Sequence, residues 1–291
     1  MLQHGTQEEQ TPRRAVVLGS SGFVASHIVE ALRKRNVETE AIGRSVIDLL
    51  VVDSAAEALA ERLRPDDVLV FVAAMAPVKN SSMFFSNMQI VQSVLGALSR
   101  SPVSYVLNVS SDAIYADCSV PMTEDDPQVP TALHGMMHTA REMLLAESID
   151  VPIGNLRPTL IYGAADPHNG YGPNRFRRLV QAGEDIVLFG EGEERRDHVH
   201  VTDVGELAAR MVMHRSCGAL NAATGTVTSF REIAERLVEI SGSESKVIGS
   251  PRNGPMPHNG YRAFDPSATA AAFPDFRYTP LDEGLRSLLA G

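Results

Sequence analysis

"AVVLGSSGFVASHIVEAL", residues 15–32, is the stretch on which the fold turns. "AVVLG" at 15–19 reads as a strand, and "FVASHIVEALRKR" at 23–35 carries apolar residues at helical spacing. Between them lies Gly19-Ser20-Ser21-Gly22. Backbone that must approach a pyrophosphate closely cannot carry side chains, and a helix N-terminus supplies amide donors and positive potential. A GxxG alone reads equally as a tight turn. A strand before it and a helix after it favour a dinucleotide site built from Gly19, Ser21, Gly22, Phe23 and Val24. Ala25 stands where a small residue lets the helix pack closely on the strand.

Working outward, the same alternation continues. "VETEAIG" (37–43) reads as strand, "AAEALAERL" (55–63) as helix, and "VLVFVAA" (68–74) as a strand buried on both faces. A long helix through Val94 and Leu98 precedes the strand "VSYVLNVSS" (103–111); the helix "TALHGMMHTAREMLLAES" (131–148) and "IGNLRPTLIYG" (153–163) follow. Strands alternating with helices predict an α/β fold, a Rossmann-type doubly wound parallel sheet, over residues 13–162. Beyond it glycine, proline and arginine become dense and helices shorten. Residues 163–291 therefore read as a smaller C-terminal substrate-binding lobe, interleaved with the last strands of the first domain. Residues 1–12 are polar and read as a disordered tail.

A chain of 291 residues buries a sizeable core without staples. Its two cysteines, Cys118 and Cys217, lie far apart without CxxC spacing, which fits reduced thiols in a cytoplasm and excludes a zinc ribbon. A net charge of -10 opposes a nucleic-acid or anionic-membrane surface. No run is apolar enough for a signal peptide or a membrane span, so a cytoplasmic protein is expected.

Several ordered motifs resemble the extended short-chain dehydrogenase/reductases, the NAD-dependent epimerase/dehydratase family. "GSSGFVASHIVEAL" resembles the family's opening, and "FVAA" (71–74) the strand end that passes the cofactor through Ala73 and Ala74. Asn87 fits an asparagine on the following helix. "SSDAIY" (110–115) resembles the Ser/Thr active-site strand, and "LRPTLIYG" (156–163) the strand that opens the substrate lobe. "LFGEGEERRDHVHVTDV", "LNAATG", "FDPSATAAAF" and "TPLDEGL" are similar to later segments.

The family's active helix carries tyrosine, often followed by glycine, then lysine four residues after the tyrosine and glutamate four further on. "HGMMHTARE" (134–142) keeps Gly135 and Glu142 on that pattern, but places His134 at the tyrosine and His138 at the lysine. The resemblance implies that Ser111 polarises a substrate oxygen, His134 acts as acid/base, and His138 orients it or binds ribose hydroxyls. Imidazole, titrating near about 6.5 when unperturbed, exchanges protons at neutrality without a neighbouring cation. Tyr115 is an alternative replacement for the missing tyrosine. Asp112, the fourth catalytic candidate, is followed by Ala113, where related dehydratases have an Asp-Glu pair; ketone reduction or C4 epimerisation is thus favoured over dehydration.

Histidines at i and i+4 also suit a metal. The metalloprotease pattern needs Glu where Gly135 stands, and no third ligand is evident, so no metal is expected. After the second strand, Gly43, Arg44 and Ser45 offer no carboxylate to repel a 2'-phosphate, which favours NADP while leaving NAD open. Asp53, or Asp48, occupies the region resembling the family's adenine contact; either also suits a cap for the helix near Ala55. Asn174, Arg196 and Arg262 are the substrate-binding candidates, the two arginines for a nucleotide diphosphate. Arg177, Arg178 and Arg195 read as solvated or ion-paired surface; His27, His198 and His200 as structural; Met136, Met137 and Met143 as packing.

The sequence thus predicts an NAD(P)-dependent oxidoreductase on a nucleotide-activated sugar, reducing a ring ketone with hydride from NADPH. A 4-epimerase with bound NAD and a catalytically disabled dinucleotide-binding regulator are the alternatives. A homodimer is implied by the resemblance alone.

Overall fold

The first strand, β1 (Arg14–Leu18), is buried at every position: Ala15 to Leu18 are apolar, as a strand covered on both faces requires, and Arg14 is paired with Asp67 at 2.6 Å. It belongs to a computed structural model that describes residues 2–290. Along the chain follow α1 (Phe23–Lys34), β2 (Glu38–Ile42), α2 (Val52–Ala60), β3 (Val68–Phe71), α3 (Ser81–Arg100), β4 (Tyr105–Val109), α4 (Leu133–Ser148) and β5 (Ile153–Pro158). Then come β6 (Leu160–Tyr162), α5 (Pro173–Ala182), β7 (Ile186–Phe189), β8 (Arg195–His200), α6 (Val201–His214), β9 (Gly218–Ala222), β10 (Val227–Ser229) and α7 (Phe230–Ser241). The chain closes with β11 (Val247–Ser250), β12 (Tyr261–Arg262), α8 (Ser267–Ala272) and α9 (Leu281–Ala290).

Two units emerge. The first comprises residues up to Ala116, Glu124–Pro158 and Val204–Ala222. Its sheet has six strands in the order β2-β1-β3-β4-β5-β9, every pair parallel. The order reverses between β1 and β3, and in such sheets ligands bind beyond the carboxyl ends of the strands at that point. One face of the core is built by Leu18, Leu59, Phe71, Val94 and Leu98.

The amino-terminal residues correct the expectation of a disordered tail. Gln3 forms an antiparallel bridge with Cys217, each donating its N–H to the other's carbonyl at 2.9 and 2.7 Å. His4 stacks on His214 with centroids 4.4 Å apart. β9 is an edge strand, and the polar segment satisfies backbone groups that the edge leaves unpaired.

The second unit holds Asp117–Thr123, Thr159–Asp203 and residues from Ala223 onward. Its strands run β10-β8-β12 with β6 also on β8, and β11 pairs with β7 separately. Phe176, Phe230, Leu237, Leu285 and Tyr162 form its core. This unit takes the chain from Thr159 because β6 pairs with β8 within it, and residues 204–222 return to the first unit. Residues 117–123, unremarked in the sequence, join it through Met122, which bridges Phe264. Among the described residues no helix is long and apolar enough to cross a membrane.

Candidate active site

At the turn after β1, Gly19 has φ +88, and a Cβ there would lie 2.8 Å from the Cα and N of Ala73. The residue is glycine because β3's continuation passes directly beside it, its Ala73 N–H donating to the Leu18 carbonyl at 2.9 Å. Gly22 is the N-cap of α1, with no side-chain cap and no acidic residue in the first turn, so the leading amides stay available to an anion. His27 hydrogen-bonds the Phe23 carbonyl through Nδ1 at 2.9 Å, the structural role read for it. Asn87 fastens the segment after β3, accepting from Met75 N–H at 2.9 Å and donating to the Met75 and Met83 carbonyls.

α4 sits against the short 3₁₀ turn Asp112–Ile114 that follows β4. A Cβ on Gly135 would fall 1.9 Å from the Ala113 carbonyl oxygen, so only glycine allows this docking. The docking brings three of the four predicted catalytic residues together. Ser111 accepts from Ala113 N–H at 3.2 Å and donates to Asp112 Oδ1 at 3.3 Å. Val78 N–H approaches His134 Nδ1 at 3.5 Å. Burial pushes the His134 imidazole below the ordinary histidine value, and Asp112 opposes that shift.

One turn on, His138 meets His134 edge-on with centroids 4.8 Å apart. It is buried, its Nδ1 without a hydrogen-bond partner, and burial holds it well below the usual histidine range, with Arg141 and His134 adding to the effect. The Ser110 hydroxyl beyond β4 is likewise buried and unpartnered. These orphaned polar atoms and the side-chain-free turn at Gly19 fit a polar ligand at the carboxyl end of the sheet. Met137 packs at 0% exposure, whereas Met136 and Met143, seven apart on the outer face, are exposed and do not pack as read.

Tyr115 is removed as a substitute acid. Its hydroxyl accepts from Arg157 Nη1 at 2.6 Å and donates to Asn221 Oδ1 at 2.9 Å, and burial pushes it up to about 12. Arg157 also forms a buried ion pair with Glu142 at 2.6 Å. The glutamate kept on the helix pattern is thus a structural anchor. Arg141, Arg157, Asp117 and His258 were missed in the sequence, since charged residues without a motif read as surface by default.

Beyond β2, Arg44 is exposed and pairs with Asp48 at 3.2 Å. Ser45 is exposed beside it. Asp48 also accepts from Leu50 N–H at 3.1 Å. Asp53 caps nothing: the N-cap of α2 is Val51, and Asp53 lies exposed in the first turn, where its charge suits the helix dipole.

In the second unit the predicted substrate residues are all engaged. Asn174 is buried, its Oδ1 accepting from Gly163 N–H at 3.0 Å, a bond that ties α5 to the end of β6. Arg196 pairs with Glu194 at 3.2 Å. Arg262, 2% exposed, donates to Asp117 Oδ1 at 3.0 Å, and His258 Nδ1 bonds the same oxygen at 2.5 Å. Asp197, buried, accepts from Thr159, Thr224 and Gly225 and pins the turn after β9's exit. His198 and His200 are buried and bonded within their own unit, as read. Among the described residues no group of three or more His, Cys, Asp or Glu is arranged to hold a metal.

A parallel sheet whose strand order reverses at a glycine turn defines a Rossmann-type α/β protein. The chain belongs to the NAD dependent epimerase/dehydratase family, whose pattern residues 15–223 match. It is 25% identical over 279 residues to a UDP-N-acetyl-alpha-D-glucosaminuronate decarboxylase of Bacillus cytotoxicus, covering 84% of this chain and 86% of that one. It is 24% identical over 281 residues to a dTDP-4-dehydro-6-deoxy-D-allose reductase of Streptomyces bikiniensis, covering 83% and 85%. Among solved structures, the fold matches UDP-glucose 4-epimerase of Thermotoga maritima, with UDP-glucose, at a TM-score of 0.84 and 20% identity over 95% of this chain and 97% of that one. The Thermus thermophilus UDP-glucose 4-epimerase complex with NAD matches at 0.81 and 24% identity, over 95% and 98%.

Proposed function

We propose that the protein is a dinucleotide-dependent enzyme that interconverts a hydroxyl and a ketone on the ring of a nucleotide-linked sugar, with His134 as the proton-transfer group. The observation that carries this reading is the docking at Gly135, which packs the first turn of α4, where His134 lies, on the 3₁₀ turn that begins at Asp112 and is capped by Ser111. The names of the relatives, a UDP-sugar decarboxylase and a dTDP-sugar reductase, support a nucleotide-linked sugar as substrate.

The residues that would hold the cofactor are Gly19, Ser21, Gly22, Phe23 and Val24 at the first turn, Arg44 and Ser45 after β2, Ala73 and Ala74 after β3, and His138. When bound, NAD(P) supplies the hydride acceptor or donor. Ser111 donates a hydrogen bond to the sugar oxygen, His134 takes or returns that oxygen's proton, and Asp112 stabilises the imidazolium while it lasts. Arg196 and Arg262 bind the substrate diphosphate, which competes with Glu194 and Asp117 for them.

Two observations favour C4 epimerisation with NAD over the net reduction expected from the sequence. A half-buried His134 below the ordinary histidine value rests as a base, ready to accept a proton from a hydroxyl. Arg44 is engaged by Asp48, which weakens it as a partner for a 2'-phosphate. Reduction by NADPH is the second reading, supported by the lack of a carboxylate in Gly43-Arg44-Ser45.

The test is purified protein with NAD, NADH and NADPH against UDP- and dTDP-linked hexoses and their 4-keto forms, with sugar products resolved by NMR and His134→Ala run alongside. Epimer formation without net cofactor consumption, lost in His134→Ala, supports the first reading. Stoichiometric NADPH oxidation supports the second. Cofactor binding without turnover of any sugar leaves the disabled regulator.

A further inference from the structure

Arg262 on β12 and Arg196 on β8 stand in register on neighbouring strands of the second unit. Two guanidinium groups side by side repel, and each is met by a carboxylate of the same unit. Arg196 pairs with Glu194 at 3.2 Å, and Arg262 donates through Nη1 to Asp117 Oδ1 at 3.0 Å. A second donor, His258 Nδ1, reaches that oxygen at 2.5 Å. His258, Asn259 and Gly260 run at φ 52, 51 and 81, a left-handed stretch that only glycine enters without cost. The backbone is thus held against its preference where it delivers the imidazole to Asp117. Arg262 is 2% exposed, while the side chains of Asp117 and His258 are 26% and 27% exposed, so what covers the guanidinium is open to solvent. The segment carrying Asp117 is fastened independently at Met122, whose N–H donates to the Ala263 carbonyl and whose carbonyl accepts from Asp265 N–H, both at 2.9 Å.

We propose that Asp117 is a built-in stand-in for a phosphate. Without nucleotide its carboxylate, clasped by His258, neutralises Arg262 beside Arg196; a nucleoside diphosphate binds by taking its place. The inference rests on the reading of Arg196 and Arg262 as the diphosphate residues, and adds a regulating group to that site. No covalent bond changes: one anion replaces another on the same guanidinium. A buried arginine stripped of its counter-ion is costly, so the fold supplies one, and the same ion pair is given up when the ligand arrives. Asp117 therefore stabilises the free protein and weakens its hold on the ligand. A residue whose only task was to hold the fold would, on removal, weaken both.

The experiment is a calorimetric titration of the full chain with UDP and dTDP, beside uridine and thymidine as phosphate-free controls. Asp117→Asn keeps the shape of the side chain and loses its charge. It should bind one of the diphosphates about five- to tenfold more tightly than the wild type, leave the nucleosides unchanged, and melt at a lower temperature without ligand. Equal or weaker diphosphate binding, tighter nucleoside binding, or an undiminished melting temperature overturns the proposal. Arg262→Gln separates this inference from the reading beneath it. Diphosphate affinity lost in Arg262→Gln but unmoved in Asp117→Asn leaves the diphosphate assignment standing and sinks the stand-in alone. An Arg262→Gln protein that binds like the wild type, or no diphosphate binding in wild type and Asp117→Asn alike, defeats the assignment and the inference with it. Should Asp117→Asn not fold, the wild type decides. Its His258 ring signals in 15N NMR, assigned by their loss in His258→Gln, should shift when the diphosphate is added and not when the nucleoside is; signals that stay in place overturn the proposal.

Discussion

Gly135 and His134 show how one missing methyl sets the chemistry of its neighbour. With the Ala113 oxygen 1.9 Å from where a Cβ would stand, Gly135→Ala must lift α4 from the 3₁₀ turn and carry His134 away from Asp112. We expect a loss of about 1–3 kcal/mol in urea unfolding, typical of overpacking, with turnover abolished. For His134 as base, activity rises with pH, because only the deprotonated imidazole accepts the substrate proton, and it levels off below the ordinary histidine value. Asp112 opposes the downward shift. Asp112→Asn should therefore move the midpoint of the pH–rate profile still lower; an upward move would show that the carboxylate does not act on His134.

At the scale of elements, α4 serves the sheet through a row of inward residues, His134, His138, Arg141 and Glu142, and each has a different neighbour to satisfy. The helix is bound at its outer turn by Gly135, in its middle by the guanidinium on β3 and β4, and deeper by the Glu142–Arg157 pair on β5. This order explains why the family's lysine cannot simply be put back. His138→Lys sets a second cation beside Arg141 in a buried place, and should destabilise the fold by about 3 kcal/mol or more and leave activity unrestored. In the double variant His138→Lys with Arg141→Ala, thermal unfolding should recover part of that loss, a coupling that a double-mutant cycle measures directly.

For the whole molecule, buried neutral imidazoles set the response to acid. Burial holds His138 well below 6.5 and His198 down to about 3. Below about pH 6.5 the unfolded chain takes protons at these positions that the folded chain refuses. Stability is therefore lost as pH falls from about 6.5, each group adding to the slope until its folded value is passed. Asp197, raised by burial to about 6, acts in the opposite sense, binding a proton in the folded state first. The test is a difference: urea midpoints at pH 7 and pH 5 should lie closer together in His138→Gln and in His198→Gln than in the wild type. An unchanged gap in both variants would mean that these histidines do not titrate abnormally.

Local order was written in the sequence. The strand-turn-helix at residues 15–32, the alternation that follows, and the spacing of Gly135 and Glu142 around two histidines are short-range patterns, and backbone sterics and periodicity translate them directly into elements. They also put Ser111, Asp112 and His134 at the ends of elements, where glycine governs the packing. Tertiary structure alone decided which charges are free. Arg262 meets Asp117 145 residues away, Arg157 reaches Tyr115 and Glu142 from another strand, and Arg141 closes on carbonyls of β3 and β4. An ionic partner distant in the chain leaves no periodic trace, because only the fold fixes the distance and burial that determine what a charge does.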